Sequence, residues 1–136
     1  MSAYTKPLPR LDDANAPFWE AAKAHALKLQ KCDGCGALRF PATRYCAECG
    51  SAESGWETVS GRGTVSSWCR FHQVYFEGFG DDVPYTVIVV TLEEGPRLFS
   101  NLVDAPEGDI ELGLPVEVMF DDVTPEVTLV KFKPAT

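Results

Sequence analysis

The chain has no apolar run approaching the roughly 20 residues that a membrane-spanning helix requires. Its opening residues, MSAYTKPLPRLDD, lack the apolar core of a signal peptide, so a cytoplasmic location is expected. Histidine is scarce, with two in 136 residues, and no Ser/His/Asp set, phosphate loop or paired catalytic carboxylates stands out. The acids at Asp81-Asp82, Glu93-Glu94 and Asp121-Asp122 fall in expected loops and read as solvated turns. As an isolated catalyst the chain is poorly equipped. Basic charge is also short, at 12 Lys/Arg against 20 Asp/Glu, for a net charge of −8 and a pI near 4.7. That balance disfavours unaided binding to nucleic acid or to an anionic membrane. No internal repeat or low-complexity segment is evident. A length of 136 residues suits one ordinary domain or two small modules, and excludes a large two-domain enzyme.

What is present is unevenly placed. Residues 1–63 hold eight basic and seven acidic side chains, a balance of +1, whereas residues 64–136 hold four and thirteen, a balance of −9. Four of the five cysteines lie between Cys32 and Cys49. Two modules are therefore expected.

The first eleven residues are Pro-punctuated and read as extended. Asp12, Asp13 and Asn15 offer helix N-caps, and Pro17 suits a first turn. Phe18, Ala22, His25 or Ala26, and Leu29 recur at helical spacing, with the helix expected to end near His25 or Ala26. Leu27 and Leu29, alternating with Lys28 and Gln30, read as a short strand entering the cysteine cluster. From Val59 the pattern is of strands: Val59–Tyr75, with the Gly61/Gly63 pair permitting a bulge or tight curl, then Tyr85–Leu92, Arg97–Val103, Val116–Phe120 and Val127–Phe132. YTVIVVTL is nearly continuous β-branched sequence, expected to be buried on both faces or over most of its length. Asp104–Gly113 leaves room for a short helical turn. The expected organisation is mainly β: an N-terminal extension and helix over 1–30, a rubredoxin-like zinc ribbon over 31–57, and a C-terminal five-stranded OB-fold barrel over 58–136.

Cys32-Asp-Gly-Cys35 and Cys46-Ala-Glu-Cys49 form two C-x2-C pairs separated by ten residues, each followed by glycine, Gly36 and Gly50. A two-residue spacing lets a tight turn aim both sulfurs at one ion, and glycine accepts the positive φ such knuckles need. Four thiolates favour Zn²⁺ in a closed, structural site, with no open position for water or substrate. Two disulfides and a rubredoxin-type iron site are the competing assignments. Lys31, Arg39 and Arg44 flank the cluster and offset its negative charge.

Cys69 reads as a buried small hydrophobe and His72 as a surface residue, because residues three apart on a strand face opposite ways. A free-standing enzyme would have to use these two. His25 reads as the edge of a packed helix face. Six of the fifteen aromatics fall between Trp68 and Tyr85. Phe71 and Tyr85 are core candidates, whereas Tyr75, Phe76 and Phe79 are expected at an exposed loop tip. Such a tip suits base stacking or a protein anchor, and the −9 charge around it favours a protein partner or an apolar ligand.

The order FW helix, LQKCDGCGALRFPATRYCAECGS, SGRGTVSSW, PYTVIVVTLEEGPRLFSNLVD, LGLPVEVMFDD and VKFKP resembles the zinc-ribbon/OB-fold acyl-CoA-associated proteins, a family long catalogued as a domain of unknown function. The resemblance runs from about Ala16 to Pro134 and keeps all four cysteines. It implies a non-catalytic accessory subunit that forms a hetero-oligomer with a thiolase-superfamily enzyme: a thiolase, a hydroxymethylglutaryl-CoA synthase or a steroid side-chain retro-aldolase. Some members work beside hotdog-fold enoyl-CoA hydratases. The proline usual before the ribbon-loop arginine is replaced here by Ala42-Thr43 before Arg44, which departs from the family pattern. An acyl-CoA ligand would carry phosphates toward the ribbon half, where Lys31, Arg39, Arg44 and Arg62 are the candidate contacts. Their other reading is that they only balance the zinc thiolates. The alternative functions are a single-stranded nucleic-acid-binding OB module and an enzyme using Cys69/His72.

Overall fold

The computed structural model describes residues 4–135. Asp12 and Asn15 hydrogen-bond reciprocally, each side-chain oxygen accepting the other's backbone N–H at 2.9 Å, and this turn launches α1 (Ala16–Lys23). The helix buries Phe18, Ala21 and Ala22, one face at i, i+3 and i+4 spacing. It stops earlier than its periodicity suggests. His25 takes the left-handed conformation at φ 60°, while Ala26 N–H reaches Ala21 O and His25 N–H reaches Ala22 O. That pair of bonds is a Schellman ending, and histidine tolerates its left-handed position better than most side chains.

Three strands follow: β1 (Lys28–Cys32), β2 (Leu38–Arg39) and β3 (Ser54–Thr58), forming a sheet in the order β2-β1-β3. Five more strands close a barrel: β4 (Arg62–Phe71), β5 (Tyr85–Leu92), β6 (Arg97–Leu102), β7 (Pro115–Asp122) and β8 (Thr128–Pro134). Their order, β4-β5-β6-β8-β7 and back to β4, with the parallel pairing at Leu102 and Phe132, is that of an OB-fold. Short 3-10 turns lie at Glu77–Phe79 and Glu107–Asp109.

Strand β5 runs over the residues expected of it but alternates: Thr86, Ile88, Val90 and Leu92 are buried, and their neighbours are half-covered. One face meets the core, because only one side of a small barrel is interior. The bulge in β4 falls between Val65 and Ser67, not at the glycines. Gly61 and Gly63 instead permit close approach: a Cβ on Gly63 would sit 2.4 Å from Thr91 O, and one on Gly61, at φ +79°, 2.4 Å from Val118 Cγ1. β4 ends at Phe71, short of Tyr75. Phe71 and Tyr85 stack on one another at 5.1 Å outside the buried core, so neither is a core residue.

The core is one cluster. Val65, Ile88, Val90, Val116 and Phe132 from the barrel meet Phe18 from α1, Leu27, Leu29 from β1, and Val59. Each fully buried aliphatic or aromatic side chain here contributes about 1.5–3 kcal/mol. The helix and the cysteine-bearing sheet are thus seated on the barrel by shared apolar burial.

Candidate metal centre and aromatic loop

Both C-x2-C pairs fold into the same local shape. Gly36 N–H bonds Cys32 O and Gly50 N–H bonds Cys46 O, each at 2.9 Å, and both glycines sit at φ +79°. Gly34 N–H points at Cys32 Sγ and Glu48 N–H at Cys46 Sγ, each at 3.3 Å. The four sulfurs lie within 4.8 Å of one another, with Cys32 to Cys49 at 3.5 Å and Cys35 to Cys46 at 3.6 Å. A tetrahedron with Zn–S bonds of about 2.3 Å places its sulfurs about 3.8 Å apart, so the cluster fits that ion. Cys32 and Cys46 are buried, whereas Cys35 and Cys49 face solvent.

Backbone N–H groups draw two thiols down: Cys32 to about 6, chiefly through Cys35 N–H, and Cys46 chiefly through Cys49 N–H. The other two rise. Ala37 N–H favours the Cys35 thiolate, but the contact with Cys46 and the local desolvation of a crowded sulfur cluster outweigh it and push Cys35 up to about 12. For Cys49, Ser51 N–H is outweighed by the contact with Cys32 and the same local desolvation. Four sulfurs this close do not all ionise unaided, so a divalent cation must displace protons as it binds. With four protein ligands it would have no vacant position, and the centre can organise structure but not activate water.

The basic residues near the cluster differ in freedom. Lys31 Nζ pairs with Glu57 at 3.1 Å, and Arg62 Nε, on β4, pairs with Glu93 at 3.2 Å. Arg39 Nη2 donates to Thr43 O at 3.0 Å beside an apolar niche lined by Trp19, Phe40 and Trp56. Arg44 is exposed and lies over the Tyr45 ring at 5.5 Å. Two of the four are thus paired with acids and a third with a carbonyl oxygen.

Cys69 is exposed on β4 rather than buried, because it points away from the face that carries Val65. His72 is exposed just beyond the strand, as expected, and no hydrogen bond joins the two among the described residues. His25 lies at the edge of α1, stacked on Phe120 with an interplanar angle of 6°.

In the loop spanning 72–84, Tyr75 is 63% and Phe76 58% exposed. Phe79 departs from the expectation. It is half-buried, stacked at 5.2 Å on Tyr85, which stacks on Phe71. Beside this ladder lies a cleft of about 490 Å³ lined by Lys6, Arg70, Tyr85, Asn101 and Lys131. Sequence reading missed the cleft, because its walls come from segments far apart in the chain. It also missed Phe99, which is 77% exposed on β6. The alternation around buried Leu98 and Leu102 carries that signal. No helix among the described residues is long and apolar enough to cross a membrane.

Residues 19–54 match a family model described as "ChsH2, rubredoxin-like zinc ribbon domain", and residues 56–121 one described as "ChsH2, C-terminal OB-fold domain". The chain of a solved structure described as "Ltp2-ChsH2(DUF35) aldolase" superposes with a TM-score of 0.85 at 37% identity, covering 95% of this chain and all of that one. A "DUF35 domain-containing scaffold protein" of Methanothermobacter thermautotrophicus is 38% identical over 97 residues, covering 71% of this chain and 72% of the relative. A Thermomonospora curvata protein named "Probable enoyl-CoA hydratase alpha subunit" is 39% identical over 132 residues, 96% of this chain. The chain spans only 40% of that relative, and 36% of a Mycobacterium tuberculosis "3-oxo-4,17-pregnadiene-20-carboxyl-CoA hydratase alpha subunit". The fold, the four-cysteine cluster and these matches together make the chain a member of the DUF35 family of ChsH2-type zinc-ribbon/OB-fold proteins.

Proposed function

We propose that this chain is a zinc-stabilised, non-catalytic scaffold subunit that pairs in the cytoplasm with a thiolase-fold enzyme acting on acyl-CoA substrates. The observation that carries this reading is the likeness, over 95% of the chain, to the ChsH2(DUF35) component of an aldolase complex. The chemistry agrees with it. The one cluster of metal-binding residues among those described is closed by four thiols, and Cys69 and His72 form no dyad. The ion organises the ribbon, and the partner supplies the catalytic groups. Tyr75 and Phe76 are the anchors offered to that partner, with Phe79 as their support.

Contact with the acyl-CoA head falls to the ribbon side. Of Lys31, Arg39, Arg44 and Arg62, Arg44 carries this role best, because Lys31 and Arg62 are engaged by acids and Arg39 by Thr43 O. A second partner is the hotdog-fold enoyl-CoA hydratase that the family resemblance implies, and the two longer relatives, each named a hydratase alpha subunit, are in keeping with it. Nucleic-acid binding has little support. The barrel half carries −9, and Phe71, Tyr85 and Phe79 spend their ring faces on one another.

The test is tagged capture from the native cytosol with identification of the partner. A thiolase-fold protein recovered in stoichiometric amount supports the reading, and recovery of a hydratase alone moves it to the second. A chain that captures neither and turns over acyl-CoA by itself overturns it.

A further inference from the structure

Residues 4–7 lie across the loop spanning 72–84. Lys6 forms an ion pair with Asp82, and its ammonium lies 5.3 Å from the Phe79 ring centre and 5.7 Å from that of Tyr4. The result is a continuous column: Phe71, Tyr85 and Phe79 stacked in order, then the Lys6 cation, then Tyr4. Each contact is attractive in its own right, through offset ring stacking and a cation over a ring face. The column begins on barrel strands β4 and β5 and ends on the N-terminal segment, with the loop between them.

Gly78 completes the seat. A Cβ there would lie 2.5 Å from Thr5 O, 2.7 Å from Thr5 C and 2.8 Å from Lys6 N. These are backbone atoms, which cannot swing aside as a side-chain tip does. The middle of the Glu77–Phe79 turn must therefore be glycine for the segment to lie where it does. Gly108, in the matching position of the other 3-10 turn, has nothing within 4 Å of its Cβ site, so close approach is particular to Gly78.

We propose that residues 4–7 form a strap that fixes the 72–84 loop and makes the partner-facing surface a composite of both segments. The strap holds Phe79 inward against Tyr85, and this leaves Tyr75 and Phe76 outward on a fixed base. Lys6 and Gly78 are thus positioning residues for the aromatic tip. The partner-facing half of the proposal rests on the scaffold reading above; the strap itself does not.

Gly78→Ala in the full chain separates the two. Alanine suits the turn itself, so the substitution unseats the strap without breaking the loop's own backbone. Chymotryptic cleavage after Tyr75 and Phe76 should rise roughly ten-fold, the loss expected when an ion pair and its ring contacts go together. Lys6→Gln should raise it too, and the double variant should gain less than the product of the two. Gly108→Ala should leave it unchanged. Cleavage of Gly78→Ala at the wild-type rate overturns the strap. A loosened loop with weakened capture of the thiolase-fold partner supports the composite surface, whereas a loosened loop with capture unchanged overturns that half. If the wild type captures no partner, the composite surface falls with the scaffold reading, and cleavage alone still decides the strap.

Discussion

His25 Nε2 lies 3.0 Å from the Asp122 carboxylate and so ties the end of α1 to the last residue of β7. Thr128 Oγ1 donates to the same carboxylate, which is held below the usual carboxylate range first by Thr128 and then by His25. A depressed folded value makes this carboxylate stabilising above its unfolded pKa of about 3.9, and the contribution is lost as pH falls through the folded value. Asp122→Asn should therefore lower the urea midpoint at pH 7, with the gap to wild type closing in acid below pH 4. A gap that stays constant down to pH 3 would exclude Asp122 as the titrating group.

The four-cysteine centre should hold one zinc per chain, readable by elemental analysis of reduced protein. Cys46→Ala, or a strong chelator, should unfold the β2-β1-β3 sheet, because metal binding at such sites is coupled to folding. Affinity should fall as pH falls, since protons compete for the thiolates. Well-folded, reduced protein without metal would contradict the assignment.

Phe132 has no exposed surface and sits where β8 meets β6 in parallel. Phe132→Ala should cost about 3–5 kcal/mol in denaturant unfolding through lost burial and the cavity left behind. A loss below about 1 kcal/mol would mean that the barrel interior repacks around the gap.

Gly63→Ala tests close approach rather than backbone freedom. Its Cβ would meet the Thr91 carbonyl at 2.4 Å, so β4 and β5 must part to admit it. The melting temperature should drop clearly, whereas Gly95→Ser should act only through its strained φ of +112°, since nothing lies within 4 Å of that Cβ site.

Cys69→Ser should leave stability within about 0.5 kcal/mol of wild type, as exposed substitutions usually do. Activity of the complex proposed above should also be unchanged. A large loss of turnover would revive Cys69 as a nucleophile.

The strands and the metal ligands were legible because their signals are local. The β-branched run at Tyr85–Leu92, the turn at Glu93-Glu94-Gly95-Pro96 and the spacing of Cys32, Cys35, Cys46 and Cys49 each depend on residues within one short window, whereas the one-sided burial of that run depends on the closed barrel around it. The C-terminus of α1 was misjudged by two or three residues because a histidine, not a glycine, takes the left-handed position. Cys69 and Phe79 were misplaced for a different reason. Their exposure depends on a bulge at Val65/Ser67 and on Lys6, 73 residues away from Phe79, and neither leaves a periodic trace. The same holds for the ion pairs of Lys31 and Arg62, whose partners lie 26 and 31 residues further on.

The single core that joins Phe18, Leu27, Leu29 and Val59 to the barrel has a practical corollary. A cut between the ribbon and the barrel would leave matching greasy scars on both pieces, and neither would be a clean building block. Anyone grafting the ribbon elsewhere, or trimming it to obtain a minimal barrel, should carry Leu27, Leu29 and Val59 along or replace them with polar side chains.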